Sequence, residues 1–217
     1  MIKAIVFDFD GVLADSEPLH LAAYQDVFAA LGVTLTREDY YDNFLGYDDE
    51  GVFSLMAHRH GWALDEQKIA VLTAQKSEVF EGIVSTRDVV YPGAAAAVAR
   101  LASEFPLGIA SGALKHEIRM ILSNAGLADS FRFIVSAEDT PESKPAPDPY
   151  IRAAHLHGLP PEACAAIEDS RWGIVSAQAA GMKCVGITTT YSAPELISAD
   201  AVIGSLDEFT AELLYRL

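Results

Sequence analysis

The 217-residue chain predicts an α/β fold, a parallel sheet with helices on both faces and a block of helices inserted after the first strand. Three observations carry this. Short apolar runs alternate with helical patterns over most of the chain. The strand-like runs are apolar along their whole length rather than alternating, as in a sheet buried on both faces. And the alternation breaks once, after the first run, for about seventy residues that hold helical patterns and no clear strand.

Taken in order, "IKAIVF" opens the chain as the first strand, and "PLGIA", "FRFIVS", "CAAIE", "KCVGIT" and "DAVIG" follow as the others. Between them, helical spacing predicts helices near 93–104, 114–125, 147–157, 170–180, 193–198 and 206–216. The interruption reads as four helices, 16–31, 36–44, 48–60 and 65–82, turned at "LGVTLT" and "HGWALD". "YPG" at 91–93 marks the return to alternation, and "GAAAAVARLA" reads as an Ala-rich helix against the sheet. The expected organisation is a core of 1–15 and 89–217 with a helical cap of 16–88. That length suits one large domain, or a core with a smaller insertion.

Composition limits the partners. The formal charge is −16 at pH 7, with no basic run, which disfavours nucleic acid and anionic membranes. An anionic substrate would then need local positive charge at its site. No apolar run approaches the ~20 residues that span a bilayer, and no leader-type segment precedes the first strand, so a cytoplasmic protein is expected. Cys164 and Cys184 lie in strand-like runs and read as reduced core residues rather than a disulfide.

Four chemistry-bearing features sit where strands should end. These are Asp8 and Asp10 with Gly11, Ser111-Gly112 before a helix, Lys144 in "ESKPAPDPY", and Glu168-Asp169 before another helix. Ligands in open parallel sheets bind beyond the carboxyl ends of the strands, so all four would meet along one edge. Crowded carboxylates cannot all stay ionised without a cation. An all-oxygen donor set with no histidine or cysteine suits a hard ion, Mg²⁺ in the cytoplasm. Ser111, the amides of the helix after it and Lys144 would hold an anion. A metal beside a lysine and a helix N-terminus is what a phosphoryl group needs. A carboxylate attacking a phosphate ester meets about 4 kcal/mol of repulsion per charge pair at ~4 Å and a dielectric of ~20. That is roughly three powers of ten in rate, which the cations must offset. Taken singly, each feature reads equally as a turn, a helix cap or a solvated lysine. Their joint order does not.

"DFDGVLADSE", "IASGA", "SKPAPDPY" and "IEDS" resemble the four motifs of the haloacid dehalogenase (HAD) superfamily, in the branch holding β-phosphoglucomutase and small phosphatases for sugar phosphates and phosphoglycolate. The resemblance covers nearly the whole chain and implies a Rossmann-like core with a helical cap. It implies that Asp8 forms an aspartyl-phosphate, that Asp10 is general acid and then base, and that Ser111, Gly112 and Lys144 hold the phosphoryl group. Asp8, the Asp10 carbonyl and Asp169 would ligate Mg²⁺, with Glu168 nearby or through water. A second acid at Asp10 separates the chain from the dehalogenases, phosphonatases and transport ATPases of that superfamily, and favours phosphate-ester chemistry.

The cap should set the substrate. His20 and Lys76 match a cap histidine and lysine of the mutase, though His20 reads equally as a polar helix residue and Lys76 as a solvated one. In "LGYDDEGVF" the position of the mutase's phosphate-gripping arginine falls on Asp49, after Tyr47 and Asp48. Two carboxylates there would repel a second phosphate, and Arg37 reads as an exposed helix-start residue rather than a substitute. The expectation is a Mg²⁺-dependent phosphatase for a sugar or polyol phosphate, monomeric or weakly dimeric. A hexose-phosphate mutase is the alternative, and a non-catalytic binding protein the lesser one. His58 and His60, and likewise His155 and His157, lie two apart on helices and diverge, so neither is a metal pair; Trp62 and Trp172 should pack.

Overall fold

In the computed structural model, residues 1–45, 47–85, 87 and 89–217 are described. The chain forms two compact units, Met1–Asp15 with Val90–Leu217, and Ser16–Val89.

The first unit is built on six parallel strands, β1 (Ala4–Phe7), β2 (Leu107–Ala110), β3 (Ile134–Val135), β4 (Cys164–Glu168), β5 (Lys183–Ile187) and β6 (Ala201–Ile203), in the order β3-β2-β1-β4-β5-β6. The chain therefore runs outward from β1 in one direction, then crosses back and runs outward from β4 in the other. The crevice between the carboxyl ends of β1 and β4 is the switch point where such sheets bind ligands. Helices α5 (Ala94–Ala102), α6 (Lys115–Asn124), α7 (Asp148–His157) and α8 (Arg171–Ala179) connect the strands. This is the Rossmann-like α/β core expected from the sequence.

Side chains alternate faces along each strand. Ala4 and Val6 of β1 join Cys164 and Ala166 of β4 in one layer with Tyr150, Ala153 and Ala154 of α7 and Ile174 and Ala177 of α8. On the other face Phe7 meets Phe131 and Phe209 edge-on, with ring centroids 5.9 Å apart in both pairs. Both cysteines are buried and unbridged.

Two expected helices are broken. Residues 193–198 form only a 3₁₀ turn, Ala193–Leu196, closed by a capping box between Ser192 and Glu195. That single turn suffices to bury Leu196 while leaving Ile197 in solvent. The stretch 206–216 splits into a 3₁₀ turn (Leu206–Glu208) and the short α9 (Ala211–Leu214). Phe209 leaves helical geometry to place its ring on Phe7, and the Thr210 side chain restarts the chain by accepting from the Leu213 amide. The expected third strand, 131–136, shortens to two residues.

The second unit is helical: α1 (Glu17–Ala30), α2 (Arg37–Asn43), α3 (Asp49–His60) and α4 (Glu66–Val84). Thr36, Asp48 and Asp65 each accept from an amide in the first turn of the helix they precede, at 3.1, 2.8 and 2.9 Å. Gly61 ends α3 in the left-handed conformation that its missing Cβ permits. Tyr24, Phe28 and Phe53 pack as the aromatic centre of this unit. Among the described residues no helix is long and apolar enough to cross a membrane.

Burial pushes the Cys164 thiol up to about 11 and the Cys184 thiol well above its usual value. Thiolate is the reactive form, so both should be inert in the folded protein. At pH 8 the native protein is expected to leave Ellman's reagent unreacted over minutes and to titrate two thiols per chain in guanidinium. Rapid titration of either thiol in the native state would contradict this packing.

Candidate active site

Strand register brings the acidic residues together. Phe7 stands opposite Ile167, so the residues that follow them, Asp8 and Glu168, leave the sheet side by side. The Asp8 amide extends the ladder by donating to the Ile167 carbonyl at 3.0 Å. By alternation both side chains turn to the α7–α8 face. Carboxylate oxygens of Asp8, Glu168 and Asp169, all buried, lie within 4.8 Å of one another.

Lys144, from the loop before α7, answers this charge. Its Nζ is 2.7 Å from Asp8 Oδ1 and 2.7 Å from Glu168 Oε1. Burial alone would lower the lysine pKa, but the two carboxylates outweigh it and hold the ammonium above its ordinary range. Asp8 moves the other way. Burial, then Glu168, raise its pKa well above the usual carboxylate range, Lys144 opposes them, and Asp169 and Asp10 add to the rise. One lysine does not neutralise this set.

The second loop is shared between Asp10 and Ser111. The Ser111 hydroxyl donates to Asp10 Oδ2 at 3.2 Å and accepts from the Ala113 amide at 3.0 Å. The helix expected over 114–125 runs from Lys115 to Asn124, after Ser111-Gly112, and the Lys115 amide is taken by Glu138 Oε2 at 2.8 Å. The Ser111 hydroxyl is met by the Ala113 amide, while the residue's own amide donates to the Val135 carbonyl.

Glu168 is the most enclosed of the acids, with no exposure. Its Oε1 receives the Tyr150 hydroxyl at 2.5 Å as well as Lys144, and its Oε2 receives the Ser170 hydroxyl at 3.3 Å. Ser170 also caps α8 by accepting from the Gly173 amide. The sequence offered no reason to single out Tyr150; its only signal was a phenol on the otherwise apolar face of α7. Gly11, at φ +76°, lies so close to Asp169 that an added Cβ would sit 1.9 Å from Asp169 Oδ2.

In the helical unit, Lys76 is not the solvated residue the sequence allowed. It is 1% exposed, with Nζ 3.0 Å from Asp49 Oδ1. The Tyr24 hydroxyl donates to the same oxygen at 2.5 Å. His20 is buried and stacked on Phe80, centroids 4.1 Å apart. Asp48 caps α3. The Asp49 charge is thus compensated by Lys76, while Asp48 keeps its charge at the start of α3. Tyr47 is exposed, and Arg37 is exposed over the Tyr41 ring. His58, His60 and His155 face solvent, His157 packs on Phe133, Trp62 on Phe28 and Trp172 on Tyr191.

A buried cluster of three carboxylates with all-oxygen donors fits a hard divalent cation. Comparison with known proteins shows the family. Residues 2–181 match the model of the haloacid dehalogenase-like hydrolases, and the chain belongs to that family. It is 34% identical over 214 residues to hexitol phosphatase B of Escherichia coli, covering 97% of this chain and 96% of the relative. It is 28% identical over 223 residues to the β-phosphoglucomutase of Bacillus subtilis, covering 99% and 95%. The crystal structure of a β-phosphoglucomutase from Clostridium difficile shares the fold, with a TM-score of 0.90 at 22% identity over 100% of this chain and 96% of that one.

A Cβ built on Gly173 would lie 1.9–2.0 Å from the Glu168 carboxyl atoms. Gly173→Ala should favour the helix by about 1 kcal/mol on intrinsic propensity, yet displace Glu168 and with it Lys144. Displacements near 1 Å at such sites cost ~100-fold, so turnover should fall by that order while α8 stays formed by circular dichroism. Unchanged turnover would show that the Glu168 position does not matter.

Proposed function

We propose that the chain is a Mg²⁺-dependent phosphatase that hydrolyses a small phosphorylated metabolite through an aspartyl-phosphate on Asp8. The observation that carries this reading is the Lys144 ammonium 2.7 Å from Asp8, inside a cluster of buried carboxylates. A lysine and a divalent cation together let a carboxylate approach a dianionic phosphate, which otherwise repels it.

In this reading Asp8, Asp169 and the Asp10 carbonyl would hold the cation, with Glu168 behind them, and it would supply charge compensation. Asp8 attacks phosphorus, the bond from phosphorus to the leaving oxygen breaks, and Asp10 gives that oxygen its proton. Asp10, now a carboxylate, takes a proton from water as the water attacks the aspartyl-phosphate, and inorganic phosphate leaves. Ser111, the amides around Gly112 and Lys144 bind the equatorial oxygens as charge spreads over them. The hydrogen bond between Ser111 and Asp10 ties the phosphate cradle to the acid.

The substrate reading rests on the helical unit. A second phosphate would need unspent positive charge, and Lys76 is already neutralised by Asp49. With Lys76 buried and paired, no free cation of that pair is offered to a second phosphate, which favours a sugar or polyol phosphate over a bisphosphate. The likeness to hexitol phosphatase B points the same way. Tyr47 and His20 are the further candidates for contact. The enzyme would work in the cytoplasm, as a monomer or weak dimer.

Screening a few dozen phosphate esters with Mg²⁺ should yield phosphate release that EDTA removes and Asp8→Asn abolishes. Full activity in Asp8→Asn would sink the mechanism. Conversion of β-glucose 1-phosphate to glucose 6-phosphate faster than net phosphate release, with a bisphosphate activator, would favour the mutase instead.

A further inference from the structure

We infer that Tyr150 is a positioning residue that sets the phosphate-binding lysine by way of Glu168. The inference deepens the phosphatase reading and rests on it. Tyr150 is the largest fully buried side chain in the core, and its hydroxyl reaches Glu168 Oε1 at 2.5 Å. Lys144 binds that same oxygen at 2.7 Å, and its ammonium stands 5.4 Å from the centroid of the Tyr150 ring. Tyr150 thus touches the lysine's environment twice, with its hydroxyl on the lysine's anchor and with its ring near the lysine itself.

The geometry explains why the hydroxyl matters. Lys144 lies between two carboxylates at equal distance. If Glu168 held it more strongly than Asp8 did, the ammonium would retreat from the place where phosphate binds. A phenol donating to Glu168 Oε1 takes up part of that oxygen's acceptor capacity and weakens its hold on the lysine. The hydroxyl also fixes the carboxyl group, whose other oxygen Ser170 holds and whose flank Gly173 leaves open. With both oxygens engaged on the α7–α8 face, Glu168 serves the lysine, and cation binding falls to its neighbours.

Tyr150→Phe removes the hydroxyl and keeps the ring. Inorganic phosphate, measured as a competitive inhibitor of p-nitrophenyl phosphate hydrolysis and by calorimetry, should bind roughly tenfold more weakly. KM should rise in step, while the Mg²⁺ concentration for half-maximal activity stays within about twofold and the melting temperature within a few degrees. Glu168→Gln retains the shape but removes the charge that draws Lys144 away from phosphate, so it should tighten phosphate binding severalfold, which keeps the test open if Tyr150→Phe fails to fold. Phosphate affinity unchanged in both variants, or a raised Mg²⁺ requirement with phosphate affinity intact, would overturn the inference. If the wild type binds phosphate but turns over no ester, and binding still depends on Tyr150, the positioning stands and only the reaction fails.

Discussion

The core is organised by a charge problem and its solution. Three carboxylates are buried together at the end of a sheet, and one ammonium is shared between two of them. Removing such charges from water is costly, and one lysine against three carboxylates leaves an excess of negative charge, which suits a divalent cation. Burial first, then the neighbouring carboxylates, raise the Asp8 pKa, and the same carboxylates raise that of Lys144 against its burial.

Much of this was legible in the chain. Strands that bury both faces must be apolar throughout, so the six runs and the helical interruption could be read directly, and polar residues at strand ends stood out against them. The alternation also implied that Asp8, Ser111, Lys144 and Glu168 would share an edge. What could not be read was pairing. Nothing in "QKSEV" says that Lys76 is buried, because its partner, Asp49, lies twenty-seven residues away and only tertiary packing joins them. The two carboxylates of the 48–49 turn looked alike in sequence, yet one caps a helix and the other is an ion-pair partner. Tyr150 escaped notice for a related reason: a tyrosine on an apolar face reads as packing until its hydroxyl is seen to have a charged neighbour.

The broken segments at 193–198 and 206–216 show a different limit. Their composition is compatible with helix, but each must deliver one particular side chain, Leu196 or Phe209, to a fixed place in the core. A helix supplies side chains at its own spacing. Where the core needs a single residue at an awkward position, a 3₁₀ turn or an extended residue satisfies it better, and local propensity gives way.

The amide of Asp8 has a further implication. It is hydrogen-bonded to Ile167 in the centre of the sheet, so the Asp8 carboxylate hangs from backbone that belongs to the ladder rather than to a loop. Loops can fray while a protein stays folded; a central ladder opens only when the whole unit does. The Asp8 carboxylate therefore keeps its place for as long as that ladder stays closed. A register slip by one residue would swing it to the opposite face of the sheet, so chains that misalign β1 or β4 would be inactive even if compact. Activity in this protein is in effect a report on whether two strands have found the right partner residues.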